Sequence, residues 1–229
     1  MDLLGDVTGD GIADVIAGTL GDLVFCINSS DGSPWWSFAT GGTVWSVASL
    51  GDVDFDGEAD VVTGTANNEV HCISGGSPAG VGVEIWKKSI GGDAWCVARL
   101  ADINADDADE AVVGTAENKV ICYSGIDGTV LWQRSTGSDV WTVGAIPDVN
   151  GDGVQEVTAG SADNRVYCLN GANGNILWDY DAGGDVWTLD WIDDVNGDGK
   201  VDVLAGTAMN NAICLSGGAS GSGQRLLRL

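Results

Sequence analysis

The chain reads as an all-β protein, a β-propeller of five four-stranded blades. Three observations lead there: a repeat of about 46 residues, four short β-patterned runs in each repeat, and turns dense in glycine and aspartate between them. Asp6, Asp52, Asp102, Asp148 and Asp194 open five related segments, spaced 46, 50, 46 and 46 residues apart. The fourth segment carries the full pattern over Val140–Tyr180: VWTVGAI, PDVNGDGVQE, VTAGS, ADNRVYCLN and GANGNILWDY. Its apolar runs are short, alternating or β-branched, and each is bounded by Gly, Asn or Asp, with no helical period. Four strands in such a unit make a propeller blade, whereas a leucine-rich or ankyrin solenoid needs a helix or a shorter period.

The register then places each element. Innermost strands are expected near Leu3, Val44–Leu50, Ala94–Leu100, Val140–Ile146 and Val186–Ile192. Outermost strands are expected near Trp35–Phe38, Glu84–Lys88, Val130–Arg134, Ile176–Tyr180 and Gln224–Leu229. Residues 1–229 form one domain, with blades at about 1–40, 41–90, 91–136, 137–182 and 183–229. The first inner strand is a stub that lacks the GGxVW lead-in of its sisters. Five blades closing imperfectly on themselves is the expectation, with a piece of a larger propeller or array as the alternative.

Composition fits this fold. Glycine is abundant (36 residues against 3 prolines) and 44% of residues are hydrophobic, enough for a core with many tight turns. No apolar run approaches the roughly 18 residues of a membrane helix, so membrane insertion is not expected. The start MDLLG lacks a signal peptide's basic and apolar regions, so a secreted protein would be represented here by its mature or excised part. The formal net charge is -25, from 34 acidic and 9 basic residues. A nucleic-acid partner is excluded, since a polyanion is repelled and no basic stripe exists.

The acids are not scattered. A nonapeptide D-x-[DNT]-x-D-G-x-x-[DE] recurs five times, as DVTGDGIAD, DVDFDGEAD, DINADDADE, DVNGDGVQE and DVNGDGKVD. Calcium takes 6–8 oxygen ligands, and oxygens at positions 1, 3 and 5 of a tight loop converge on one point. Position 7 supplies a backbone carbonyl and the acid at position 9 closes the shell. The first loop's ligands are then Asp6, Thr8, Asp10, Ile12 and Asp14. The second uses Asp52, Asp54, Asp56, Glu58 and Asp60, and with four ligand carboxylates is expected to bind tightest. The third uses Asp102, Asn104, Asp106, Ala108 and Glu110. The fourth uses Asp148, Asn150, Asp152, Val154 and Glu156, and the fifth Asp194, Asn196, Asp198, Lys200 and Asp202. Up to five Ca2+ ions are expected. The third site is expected to be weakest, because Asp107 stands where the turn wants glycine.

These loops resemble the FG-GAP repeats of integrin α-subunit-like propellers and the related VCBS-type repeats. The second half of each unit is similar to the tryptophan-docking repeat of quinoprotein (PQQ-type) propellers, as in CYSGIDGTVLW (Cys122–Trp132) and CLNGANGNILW (Cys168–Trp178). Cys stands where that pattern has alanine and Ser or Asn where it has aspartate, so this second match is partial. Together the two resemblances imply a propeller with calcium between the first two strands of a blade. They imply a molecular role only loosely, since such repeats occur in adhesins, lectins, lyases and passive scaffolds.

Eight of the ten tryptophans obey the repeat. Trp45, Trp95, Trp141 and Trp187 fall on inner strands and Trp36, Trp86, Trp132 and Trp178 on outer ones, and both sets are expected to fill the gap between blades. Trp35 and Trp191 lie off the pattern and offer the one opening for stacking on sugar rings. Cys26, Cys72, Cys122, Cys168 and Cys214 share one strand position and, with Cys96, are expected to be small buried thiols rather than disulfides or a zinc site. His71, the only histidine, sits at a strand position and joins no catalytic constellation.

The expected function is therefore that of a calcium-stabilised module outside the cell or on its surface. Millimolar-range sites suit that location, since extracellular modules bind calcium at about 10⁻⁴–10⁻³ M. Non-enzymatic binding, adhesion or assembly into an array or fibre is expected, through an unidentified protein or glycan ligand or through self-association. The alternative is a lyase-like polysaccharide-active enzyme or a carbohydrate-binding propeller. Lys87, Lys88, Arg99, Arg134 and Arg165 supply no convergent base for the enzyme reading. A quinone cofactor is the remote third case, because only the docking half-motif is present.

Overall fold

A computed structural model describes residues 1–218 and 221–228, and every regular element among them is a strand. The first blade is built from Asp2–Leu3, Val15–Gly18, Leu23–Ile27 and Pro34–Ala39. The second uses Val44–Ser49, Val61–Thr65, Glu69–Ser74 and Val83–Ser89. The third uses Ala94–Leu100, Glu110–Thr115, Lys119–Tyr123 and Val130–Ser135. Val140–Ile146, Glu156–Ser161, Arg165–Leu169 and Ile176–Asp181 make the fourth, and Val186–Ile192, Asp202–Thr207, Ala212–Ser216 and Gln224–Arg228 the fifth. Each blade is an antiparallel meander in chain order, inner strand first. The expected strands are found where the register put them, except that Leu229 lies outside the described residues.

The extra residues in the 50-residue spacing have a structural use. Gly80–Val81, in the connection before the second blade's outer strand, pairs in parallel with Trp36 and Ser37 on the outer strand of the first blade. Gly221–Ser222 does the same for Trp178 and Asp179 of the fourth blade. These clips cover two sheet edges that would otherwise present free backbone groups.

Blades stack through four hydrophobic clusters, one per successive pair. Ile16, Val24, Cys26 and Trp36 of the first blade meet Val44, Val47, Val61 and Ile73 of the second. Equivalent residues join second to third, third to fourth and fourth to fifth. Each joint is pinned by an outer-strand tryptophan whose Nε1–H donates to a carbonyl 39 residues on: Trp36 to Gly75 at 3.2 Å, Trp86 to Gly125 at 2.5 Å, Trp132 to Gly171 at 2.7 Å, Trp178 to Gly217 at 3.0 Å. The acceptor must be glycine. A Cβ there would lie 1.8 to 2.2 Å from the carbonyl oxygen of Ala59, Asp109, Gln155 or Val201.

Two expectations are corrected. No cluster among the described residues joins the fifth blade to the first, so the expected closure is not made and the five blades form an open stack. Both residues that would pin such a joint differ from the repeat: Leu227 pairs with Cys214 where Trp178 pairs with Cys168, and Ser29 occupies the glycine position. The inner-strand tryptophans meet across blades only ring to ring along the inner strands, not between the blade faces. A register skip in each inner strand, such as that between Ala94 and Cys96, takes the tryptophan out of the ladder. A bulged residue is re-aimed away from the blade face. Trp45, Trp95 and Trp141 instead stack on one another, with ring centroids 5.1 and 5.0 Å apart, and Trp45 and Trp187 remain 43% and 60% exposed. The outer-strand set is buried as expected, and so are all six cysteines, which are free.

Candidate metal centres

The five acidic nonapeptides connect the inner strand of each blade to its second strand, all at one end of the inner strands. Their first aspartate organises the turn by accepting backbone N–H groups. Gly9 donates to Asp6 at 2.8 Å, Gly57 to Asp52 at 2.8 Å, Ala105 to Asp102 at 2.7 Å, Gly151 to Asp148 at 2.6 Å and Gly199 to Asp194 at 2.7 Å. These backbone donors favour the ionised form, and the carboxyls of Asp148 and Asp194 are held below the usual range chiefly by them. The aspartate at position 5 accepts from the N–H of position 7, as Asp152 does from Val154 at 2.9 Å, which leaves the position-7 carbonyl available.

A second tie was not expected from sequence. The side chain that ends the third strand reaches back to the position-5 carboxylate: Ser74 to Asp56 at 3.2 Å, Ser124 to Asp106 at 3.4 Å, Asn170 to Asp152 at 2.5 Å and Ser216 to Asp198 at 2.8 Å. The readable signal was a hydroxyl or amide recurring 18 residues after position 5.

The acid at position 9 opens the second strand and is fully buried in every loop: Asp14, Asp60, Glu110, Glu156 and Asp202 have no exposed surface. Each accepts from the N–H of position 2, as Asp60 does from Val53 at 2.7 Å and Glu156 from Val149 at 3.0 Å. Burial outweighs those donors. It pushes the carboxyl of Asp60 up to about 7, that of Glu110 up to about 8 and that of Glu156 up to about 7, with neighbouring loop aspartates adding to the rise.

Three loops bring carboxylates together within 4.8 Å of one another: Asp52, Asp54 and Asp60; Asp102, Asp106 and Glu110; Asp148, Asp152 and Glu156. In the second loop Asp56 turns to Ser74 and stays outside that group. The first and fifth loops keep the hydrogen-bond frame, but their carboxylates form no such group among the described residues. The asparagines at position 3 point their amide nitrogens at acids, Asn104 at Asp106 (2.8 Å), Asn150 at Asp152 (2.9 Å) and Asn196 at Asp202 (3.2 Å).

This donor set fits a hard divalent cation. It is all oxygen, it concentrates like charge, and it leaves one buried oxygen of Glu110 (Oε2) and one of Glu156 (Oε1) without any hydrogen-bond partner. The third loop shows the expected strain, with Asp107 at φ 68° where the other loops have glycine at 82–99°. Position 4 is also left-handed, so Phe55 and Ala105, at φ 62° and 64°, are strained there as well. That position was not singled out in the sequence.

Comparison with known proteins agrees with both halves of the repeat. A family model described as FG-GAP-like repeat matches residues 6–63, and one described as outer membrane protein assembly factor BamB matches residues 37–190. A search of the curated proteins returned no match. Among solved structures, Saccharomyces cerevisiae Sqt1 is similar at a TM-score of 0.74 with 11% identity, over 93% of this chain and 57% of that one. The WD40 β-propeller domain of Doa1 is similar at 0.66 with 11% identity, over 94% and 64%. BBS1N, crystallised in complex with ARL6DN and soaked with lead, is similar at 0.64 with 14% identity, over 88% and 56%. At these identities the likeness shows the fold, and the chain spans less than two thirds of each of these structures. Because the longer family match takes in more than half of its residues, the chain belongs to the BamB-type family of PQQ-like propeller repeats.

Proposed function

We propose that this protein is a calcium-stabilised, non-enzymatic β-propeller module that works outside the cell, by binding a protein or glycan or by associating with itself. The observation that carries the reading is the fully buried carboxylate at position 9, aimed into a loop with two or more further acids. A divalent ion there would neutralise charge that burial otherwise opposes. Asp52, Asp54 and Asp60, with the equivalent sets in the third and fourth loops, would hold it, helped by the position-7 carbonyls. The ion would tie the start of each second strand to its inner strand and do no chemistry.

The basic residues support a non-catalytic role. Lys87 pairs with Glu69, Arg99 with Asp109 and Arg165 with Asp179, while Arg134 donates to Gly174 and Asn175, so four candidates are spent on separate partners across three blades. A protein ligand is in keeping with the BBS1N–ARL6DN complex among its structural neighbours. The glycan version is favoured by one feature, the row in which exposed Trp45 meets half-buried Trp95 and Trp141 at tilted ring angles of 46° and 42°. Thermal melts in millimolar Ca2+ and in EDTA test the calcium reading: a higher midpoint with Ca2+ supports it, and equal midpoints remove it. A glycan array probed with the parent and with Trp45→Ala separates the two ligand classes, since only a glycan site loses signal in the variant.

A further inference from the structure

The metal loops of neighbouring blades touch. Position 8 of a loop lies between the position-7 carbonyl and the buried position-9 acid, and in two loops its side chain reaches the preceding blade. Asp109 Oδ2, in the third loop, accepts from the backbone N–H of Gly51 at 3.1 Å. Gln155 Oε1, in the fourth, accepts from the N–H of Ala101 at 3.1 Å. Gly51 and Ala101 immediately precede Asp52 and Asp102, the first aspartates of the second and third loops.

The contacts continue into each loop's buried acid. A Cβ at Gly51 would lie 2.5 Å from Asp109 Oδ2, so glycine admits the approach. Arg99 Nε, 2.6 Å from the same oxygen, holds Asp109 in place and balances its charge. The Gly51 carbonyl in turn accepts from the N–H of Asp60 at 3.1 Å. Leu100, next to Ala101, pairs with Glu110 in the ladder. Each link therefore joins the position-9 acid of one loop to that of the loop before it. The other two joints lack it: Ala59 and Val201 have no side-chain acceptor, and Pro147 has no N–H. The second, third and fourth loops thus form one linked series, and they are the same three that gather carboxylates within 4.8 Å. In two of them Glu110 Oε2 and Glu156 Oε1 are buried without a hydrogen-bond partner, as an ion's ligands would be.

We propose that Asp109 and Gln155 are positioning residues that couple calcium binding between neighbouring blades, so that filling one loop strengthens binding in the loop before it. With the Val154 carbonyl and Glu156 engaged by calcium, Gln155 is fixed between them and holds the entry of the third loop in place. The third loop then has less of its own ordering to supply when it binds. Asp109 does the same for the second loop. The coupling is reciprocal and amounts to about two- to tenfold in affinity, the net strength of one hydrogen bond. The inference rests on the calcium reading above and adds that the three sites fill together.

Position-6 amides give one reporter per loop, because Gly11, Gly57, Asp107, Gly153 and Gly199 each donate to that loop's first aspartate. Their NMR signals are followed in the isotope-labelled whole chain while free Ca2+ is raised. In Glu156→Gln, which empties the fourth loop, the Asp107 midpoint is expected at about two- to tenfold higher Ca2+ than in the parent, with Gly11 unmoved. Repulsion between neighbouring ions alone would move it the other way. Gln155→Met keeps the size and charge but not the acceptor, and should raise the Asp107 midpoint as much. Glu156→Gln added to Gln155→Met should raise it no further. Asp109→Ala should weaken the Gly57 site in the same way, while Asp109→Asn, which keeps an acceptor, should not. Equal Asp107 midpoints in the parent and Glu156→Gln overturn the coupling and leave calcium binding intact. Position-6 amides that ignore Ca2+ in every loop overturn the calcium reading itself, and the coupling with it.

Discussion

The third and fourth loops share one frame and differ in how easily the chain adopts it. Both place three carboxylates within 4.8 Å, both bury a glutamate at position 9, and both leave one oxygen of that glutamate unpartnered. In the fourth, Gly151 and Gly153 take the left-handed positions at φ 87° and 88°; in the third, Ala105 and Asp107 do so at 64° and 68°. A residue with a Cβ resists that conformation by about 1 kcal/mol. Ligand geometry and backbone strain are thus separable here: the third loop is as well furnished as the fourth but more costly to hold.

The largest effect expected from this picture is metal removal. Each occupied site stabilises by about 2.7 kcal/mol at a hundredfold excess of free ion over its dissociation constant. For a chain of this size, three sites together should move the melting midpoint by about 10 °C or more between Ca2+ and EDTA, as read by circular dichroism. Next comes a reversal of sign at single sites. Glu156→Gln should lower the midpoint in Ca2+, by losing one ion, and raise it in EDTA, by removing a buried charge. Glu110→Gln should show the same reversal with a smaller loss in Ca2+, because its loop binds less tightly. Equal losses would break the comparison between the two loops.

Acidity separates the states further. In the calcium-free protein Asp60, Glu110 and Glu156 titrate near 7, 8 and 7, above the ordinary carboxylate values of 3.8 and 4.5. Folding therefore favours the protonated form. The stability these groups contribute is complete below about pH 4 and is lost as pH rises through 7 to 8. Melts in EDTA should accordingly rise in midpoint from pH 8 toward pH 5, whereas melts in Ca2+ should fall over the same range as protons displace the ion. Parallel curves in the two series would contradict the assignment. The smallest effect is backbone relief: Asp107→Gly should raise the midpoint in Ca2+ by about 2–4 °C through removal of roughly 1 kcal/mol of strain.

Much of this was legible in the residues. The period of Asp6, Asp52, Asp102, Asp148 and Asp194 located all five loops, and alternating runs located the strands, because both depend on local spacing. The buried position-9 acid was readable for the same reason, lying already on the second strand. What escaped depends on pairing across the sheet. The skipped register beside Trp95 turns a residue that looks like core into a partly exposed one. The clip formed by Gly80 and Val81 shows in the sequence only as the longer second spacing of 50 residues, which does not say what the extra residues pair with. Position 4 of the loop passed unnoticed because three copies carry glycine there, and only Phe55 and Ala105 reveal the strain. The missing fifth joint was foreshadowed by Leu227 and Ser29, yet single departures from a repeat do not say whether a neighbour is absent or merely packed differently.

Counting bound calcium tests the central claim most directly. Equilibrium dialysis at pH 7.5 and about 10 mM free Ca2+, well above the roughly 10⁻⁴–10⁻³ M range of extracellular sites, should approach three ions per chain, one fewer in Glu156→Gln and one fewer again when Asp60→Asn is added. A chain that takes up none under those conditions, while folded, would contradict the account.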